Sequence, residues 1–437
     1  MSGIFHVSAE QARRLLDSTL SQKEKTEVLA HLVSQCAECL KMVRDLAFPS
    51  LGVNVDYSGV LRRLKLGYIV ATHDVEFERK IAAENWELMK ALDSTQRLQL
   101  VKHNPRFRHW GLYERVTEEA KLLIRQDPVQ SIDLTFLAIL ITDNLDQLFY
   151  SDSLRADFKA GALVTHANAC RLLGDFVAAK AALQEAEELH DVGTGDPMER
   201  ATLVSIRSSL LTDLGYFEDA EKVLQEALRI SRSLRDNQLE ARYTIQQSST
   251  IGWTEPIRGL RLADRGLALL GKFARRDKAL EICAVHLLAL WANEAGDPQE
   301  ARATFESYRY LYDQFDDAYW NGKRLHLQAC IARTEGDLPQ SERFFRQLVH
   351  HYEQHSYEFD LALASLDLSE VLTGQGKAGR SLEILQTLYP VLKSWELNGD
   401  ILRSWHILME GVRQHTVQQY AFKDLAMILR RKWFRKL

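Results

Sequence analysis

Leu173-Gly174-Asp175-Phe176, followed by Ala179, Ala182, Leu183, Ala186 and Leu189, is the stretch on which the fold turns. It is a small-residue turn that opens an amphipathic helix. The same arrangement returns at Leu214-Gly215-Tyr216-Phe217 with Ala220, Leu224 and Ala227. It returns again at Gly296-Asp297-Pro298 with Ala301 and Phe305, at Gly336-Asp337-Leu338 with Ser341 and Phe345, and at Gly376-Lys377-Ala378 with Ser381 and Leu385. The first two glycines stand 41 residues apart and the last three 40 apart, so the chain is an array of helical units rather than one large core.

Outward from these turns, the flanking residues divide into a helix entering each glycine and a helix leaving it. The pairs are about 153–173 with 176–190 and about 197–214 with 217–234. Residues 240–270 hold a degenerate copy in which Gly252-Trp253-Thr254-Glu255-Pro256 replaces the usual turn and Ala263 keeps its place. Three cleaner copies follow, and helices over about 400–415 and 418–434 close the chain. Upstream, Trp110-Gly111-Leu112-Tyr113 with Ala120 opens the first pair, completed by a helix over about 131–148. The pattern predicts three regions: 1–48, a small helical module; 49–100, a helical connector after the break at Phe48-Pro49-Ser50-Leu51-Gly52; and 101–437, the array.

The small residue five after the glycine (Ala179, Ala220, Ala301) and the second alanine twelve after it (Ala186, Ala227) resemble the tetratricopeptide repeat. That resemblance covers Trp110 to the C-terminus. The period of about 40 exceeds the family's usual 34, and later copies carry Ser341, Leu348, Ser381 and Leu388 at these places. It implies an all-α, right-handed superhelical solenoid of tetratricopeptide-like hairpins that binds a protein partner on its concave face.

At 437 residues, with 46% hydrophobic and 26% charged residues and a net charge of -5, the composition is that of an ordered, helix-rich protein. So small a charge gives no global attraction to nucleic acid or to an anionic membrane. The longest apolar run, Leu134 to Thr142, is bracketed by Asp133 and Asp143 and is too short to span a bilayer. No signal peptide is recognisable. Five scattered cysteines point to a reducing cytoplasm, with Cys170, Cys283 and Cys330 read as core thiols.

The first fifty residues hold the site-forming residues. Ser8-Ala9-Glu10-Gln11 and Ser21-Gln22-Lys23-Glu24 have the form of capping boxes and predict helices over about 9–20 and from 22 through His31. So small a core would benefit from a bound metal. Cys36-Ala37-Glu38-Cys39 places two thiolates within reach of one tetrahedral zinc, His31 offers a third ligand, and His6, just before the first helix, a fourth. The order His6, Leu20-Ser21, His31-Leu32, Cys36, Cys39 is similar to the zinc-binding module of bacterial anti-sigma factors. The resemblance implies one structural zinc held by all four residues and an alternative sigma factor as partner. The family's commonest form has three residues between the histidine and the first cysteine, and here there are four. An unbroken helix would put Cys36 about 140° around from His31, so the helix must loosen near Ser34-Gln35.

No catalytic signature survives inspection. Gly193-Thr194-Gly195-Asp196 lacks the lysine and strand of a phosphate-binding loop and reads as an inter-repeat loop. His350, His351 and His355 read as a solvated helix surface. Cys283 and His286 share a helical face without a third partner. The basic run Arg430 to Lys436 reads as a solubilising end of the last helix. Together these residues predict a cytoplasmic, non-enzymatic regulatory protein that binds protein partners through its solenoid and an alternative sigma factor through its zinc module. The rival is an interaction scaffold, inhibitor or adaptor in a bacterial stress or defence complex, for instance with a caspase-like protease. A small-molecule substrate, a membrane and nucleic acid are not expected partners.

Overall fold

The computed structural model describes residues 6–16, 19–33, 38–39, 42–43, 46, 75–147, 149–271, 277–315, 317–355, 357–394, 399–418 and 420–433. Cys36, the Phe48 to Gly52 break, the cluster Arg62, Arg63 and Lys65, and the side chains of the Arg430 to Lys436 run lie outside this description. Among the described residues the chain is helical throughout, and successive helices pack serially. No described helix is long and apolar enough to cross a membrane.

The repeated turn has a physical cause at each of its residues. Gly174, Gly215, Gly296, Gly336 and Gly376 all take φ between +74° and +90°, the left-handed conformation that costs glycine least. The next residue's amide then reaches back to a carbonyl five residues earlier, as in Asp175 to Cys170, Asp297 to Ala292 and Asp337 to Ala332. This bond closes the helix end in a Schellman arrangement. Asp175, Asp297 and Asp337 then accept from the amides of Ala178, Glu300 and Gln340, capping the helix that follows. Two turns achieve this without glycine. Arg235 and His415 sit at φ 53° and 55°, and Asp236 donates to the Ser231 carbonyl in the same five-residue closure.

Within each pair a small residue lets the helices approach. Ala179, Ala220 and Ala301 are fully buried. Where Ser341 and Ser381 replace alanine, each hydroxyl donates across the pair, to the carbonyls of Ala329 (2.8 Å) and Ser369 (3.0 Å). Ser208 and Ser248 make the same bond in the other direction, to the carbonyls of Ala220 and Gly259. A serine at this close contact therefore satisfies its own hydroxyl inside the core. The departure from alanine is no weakening of the repeat.

The chain gathers into two compact units. The first comprises the described residues up to Ala169 together with Ala181–Leu203 and Arg229–Asp236; the second comprises Cys170–Lys180, Val204–Leu228 and the described residues from Asn237 on. In the first unit, helices Val75–Met89 and Ser94–His103 lie in the region read as a connector. They pack onto Trp110–Leu123 and Pro128–Asp143 around Trp86, Met89, Val101, Trp110, Leu112 and Leu137. Glu78 fastens this contact, accepting from the Gly111 amide (2.9 Å) and the Tyr150 hydroxyl (2.9 Å), while Tyr150 accepts from the Trp110 amide. The N-terminal helices Ala9–Leu16 and Gln22–Val33 bury Val7, Ala12, Val28 and Leu32 with Cys39 and Val43. Both capping boxes form: Ser8 and Gln11 exchange bonds, as do Ser21 and Glu24. The Ser21 hydroxyl and amide, with Arg14, hold the Glu24 carboxyl down at about 2.

In the second unit the degenerate copy becomes the pair Asn237–Ile251 and Pro256–Leu270. Gly252 and Gly259 lie against the indole of Trp291, which is fully buried and donates to the Ser248 hydroxyl at 3.1 Å. The unusual turn is thus the mould for one large side chain. Beyond it the pairs continue through Lys278–Glu294, Ala318–Thr334, Leu338–Gln354, Glu358–Gly374 and Ala378–Ser394 to Gly399–Arg413 and Tyr420–Trp433.

Candidate functional site

Three of the four residues expected to bind zinc come together at the N-terminus. Cys39 Sγ lies 3.2 Å from His31 Nε2 and 3.5 Å from His6 Nδ1, and the three donor atoms fall within 4.8 Å of one another. Zinc–sulfur and zinc–nitrogen bonds of roughly 2.3 and 2.0–2.1 Å at tetrahedral angles set sulfur and nitrogen about 3.5 Å apart, so both sulfur–nitrogen separations suit the edges of one zinc tetrahedron. The helix carrying His31 is described as far as Val33; the Ser34-Gln35 position where the spacing asks it to loosen, and Cys36 itself, lie outside the described residues. The Val7 amide donates to Cys39 Sγ at 3.3 Å, a bond that favours a thiolate. His6 turns its other nitrogen toward Glu38, 3.9 Å away. A carboxylate in that place orients a ligating imidazole. Among the described residues this is the one grouping of histidine, cysteine and acidic side chains with metal-ligand spacing.

The second unit contains a cavity of about 260 Å³. Most of its wall comes from the first helices of successive pairs, with Leu348 and Tyr352 from Leu338–Gln354, and many of the lining side chains are polar. Arg171 pairs with Asp213. Gln246 is held on one wall by the Ser205 carbonyl (2.7 Å) and the Ser209 hydroxyl (2.9 Å), both accepting from its amide. Thr212 and Thr250 face each other with hydroxyls 3.0 Å apart. Asp367 accepts from Arg333 at 3.1 Å, and Arg333 also reaches Glu370 at 2.8 Å. Burial would lower the titration point of His326, but the Cys330 sulfur at 3.6 Å and the Asp367 carboxylate raise it instead. His286 is the opposite case. Burial, with Lys323 nearby, holds it down to about 3, and its Nδ1 is tied to the Tyr312 hydroxyl at 3.0 Å. A smaller cavity of about 80 Å³ shares Arg171, Asp213, Tyr319, Lys323 and Asp360 with the larger one.

Of the polar residues named on these walls the sequence reading noted only His286, and for its face shared with Cys283. A signal was there: Arg171 and Thr212 each stand three before a turn glycine, so polar side chains recur at one register of the first helix. Periodicity alone does not show that this register faces a shared space.

The other sequence readings resolve simply. Gly193-Thr194 is a loop whose anion site is filled by the chain's own carboxylate, since buried Asp157 accepts from the Thr194 amide (3.1 Å) and hydroxyl (2.5 Å). Cys170 and Cys330 are buried, whereas Cys283 is partly exposed; burial raises the Cys170 thiol to about 12. His286 is bonded to Tyr312, and Cys283 packs against the core cluster of this unit. Of the histidines read as a solvated surface, His350 fits, but His351 is half-buried and bonds the Ala318 carbonyl at 2.7 Å.

No known family's sequence pattern matches the chain, and no curated relative does. Solved structures do. The chain is similar to a Rap protein complexed with Competence and Sporulation Factor, at TM-score 0.56 and 13% identity over 73% of this chain and 86% of that one. It is also aligned with a signal-transduction ATPase with a tetratricopeptide repeat sensor from Pyrococcus horikoshii, at TM-score 0.46 and 11% identity over 98% of this chain and 66% of that one. Aspartyl phosphate phosphatase F from Bacillus subtilis aligns at TM-score 0.45 and 12% identity, over 96% and 97%. At such identities the likeness to the Rap protein is one of fold, and it agrees with the tetratricopeptide-like reading.

Proposed function

We propose that this chain is a non-enzymatic regulatory protein of the cytoplasm whose second unit holds an extended segment of a protein or peptide partner. The observation that carries this is the cavity: its side chains are fixed by their own neighbours, as Gln246 is by Ser205 and Ser209, so the walls are set before any ligand arrives. A volume of about 260 Å³ suits a few side chains of an extended strand better than a folded domain. The Rap protein of similar fold was solved with a factor bound, which supports the same use here. The test is affinity selection of a random hexapeptide mixture on the full chain, read by mass spectrometry. Wild type should retain a distinct subset, and Ser249→Phe, which fills the cavity from one wall, should lose it. Retention unchanged by Ser249→Phe, with the variant folded by circular dichroism, would refute the reading.

In this reading a single structural zinc at His6, His31, Cys36 and Cys39 stabilises the N-terminal helices; the donor spacing around Cys39 supports it. Metal analysis should find one zinc per chain, lost on Cys36→Ser with Cys39→Ser, and a metal-free, well-folded protein would refute it. The finer reading, that residues 1–48 hold an alternative sigma factor, rests on the sequence resemblance. Co-purification decides it against the scaffold or adaptor reading: a sigma factor lost with the two cysteines supports the first, and a partner indifferent to them but lost with Ser249→Phe supports the second.

A further inference from the structure

The turn Gly252-Trp253-Thr254-Glu255-Pro256 does more than make room for Trp291. It places Trp253 on the wall of the larger cavity. The backbone on both sides of this residue is fixed, since the Gly252 amide donates to the Ser248 carbonyl (3.0 Å) and the amides of Thr254 and Glu255 donate to the Ile251 carbonyl (3.0 and 2.9 Å). Its ring is steadied edge to face by Trp291, with 5.3 Å between centroids. An indole so held is still 40% exposed, whereas Leu290, Leu348, Tyr352 and Leu363 on the same walls are buried. Tyr319 is half-buried, with the Lys323 ammonium over its ring at 5.4 Å from the centroid. Among the described residues, Trp253 is therefore the large apolar side chain that this cavity leaves exposed.

Charge does not select the ligand here. Arg171, Lys323 and His326 are matched on these walls by Asp213, Asp360 and Asp367; Arg171 pairs with Asp213, and His326 stands 3.8 Å from Asp367. What the lining offers instead is a rigid flat ring set among the polar side chains of Gln246, Ser249 and Thr250. An aliphatic side chain would meet apolar surface at the indole and polar groups around it. A cation would gain the ring face, but each carboxylate of the lining is already matched by a cation of the protein. An aromatic side chain gains from packing on the indole beyond the area it buries, and its positively polarised edge suits the neighbouring oxygens. Tryptophan is also enriched among the few residues that carry most of a binding energy. We propose that Trp253 is the specificity-determining contact of this cavity and receives an aromatic side chain of the bound segment. This inference rests on the peptide reading of the cavity given above.

The experiment uses the full chain and three random hexapeptide pools. The large side chains are phenylalanine and tyrosine in one pool, leucine, isoleucine and methionine in the second, and arginine and lysine in the third. Wild type should retain the aromatic pool about tenfold more than either of the others. Trp253→Ala should bring the aromatic pool down to the level of the aliphatic one, and Trp253→Phe should keep most of the preference. Titration with a retained phenylalanine peptide should change the tryptophan fluorescence of wild type, and Trp253→Phe should abolish that change while binding persists. A fluorescence change that survives Trp253→Phe places the aromatic contact elsewhere and overturns the proposal. So does an aromatic pool retained no better than the aliphatic or the cationic one, or retention unchanged in a Trp253→Ala protein folded by circular dichroism; each of these outcomes leaves the peptide reading standing. Failure of wild type to retain any pool overturns the peptide reading and the aromatic contact with it.

Discussion

Replacing Gly252 by alanine tests whether the degenerate repeat is built around Trp291. A Cβ on Gly252 would sit 2.1 Å from Trp291 Cε2, 2.4 Å from Cδ2 and 2.5 Å from Cζ2, far inside contact distance. The indole has nowhere to go. Gly259 bounds it at Cδ1, where a Cβ would approach to 2.9 Å, Trp253 meets it edge to face at 5.3 Å, and its Nε1 is bonded to Ser248. Overpacking a fixed core costs about 1–3 kcal/mol, and losing the buried Nε1 bond as the ring shifts adds about 1 kcal/mol, so we expect roughly 3 kcal/mol for Gly252→Ala. Gly296→Ala is the matching control. Its φ of +90° makes alanine strained, but no atom lies within 4 Å of the added Cβ, so the cost is conformational and about 1 kcal/mol. In a Trp291→Leu background the space is open and Gly252→Ala should add less than about 1 kcal/mol, a coupling near 2 kcal/mol. Because a repeat array need not unfold in one step, the assay is hydrogen exchange by mass spectrometry on peptides covering 237–270, with urea as denaturant. Additive effects of Gly252→Ala and Trp291→Leu, or a Gly252→Ala protein as protected as wild type, would refute the reasoning.

Three further outcomes follow from the same contacts. His286 titrates near 3 when folded against an ordinary 6.5, so the unfolded chain takes up the proton first; stability is complete above about pH 6.5 and falls as the pH drops toward 3. Between pH 6.5 and 5 the loss should be about 2 kcal/mol, and His286→Phe should flatten that part of the stability profile, while an unaltered slope would count against burial as its cause. Tyr150→Phe removes the donor to Glu78 and the acceptor for the Trp110 amide, and should cost about 1–3 kcal/mol, with faster exchange confined to 75–123. Exchange changed elsewhere instead would show that Glu78 is not the fastener of that contact. On the zinc reading, a chelator, or Cys39→Ser, should raise tryptic cleavage within 9–33 about tenfold and leave cleavage of the repeats unaltered; equal protection with and without metal would mean the apolar contacts of Val7, Val28 and Leu32 suffice.

What could be read in the sequence divides according to how far apart the cooperating residues lie. The turn at Gly174 is local: a left-handed glycine and a capping aspartate act within a few residues of each other, so the pattern shows wherever it occurs. The grouping of His6, His31 and Cys39 was legible for a related reason, since metal-binding chemistry restricts which residue types can serve, even across 33 positions. Trp291 was not legible. Gly252 looked like a lost turn, and only the packing shows that the glycine makes room for a large side chain contributed by the next pair. The helix end near 234 was read, but not the positive φ of Arg235, because arginine gives no sign that it will take one. The cavity lay furthest from local rules. Arg171, Gln246, His286 and Lys323 meet only when several pairs have stacked, and each alone is an ordinary polar residue on a helix. Architecture in such an array is therefore written in the residues that repeat. The residues that break the repeat, such as Gln246 and His286, give the cavity a lining of its own.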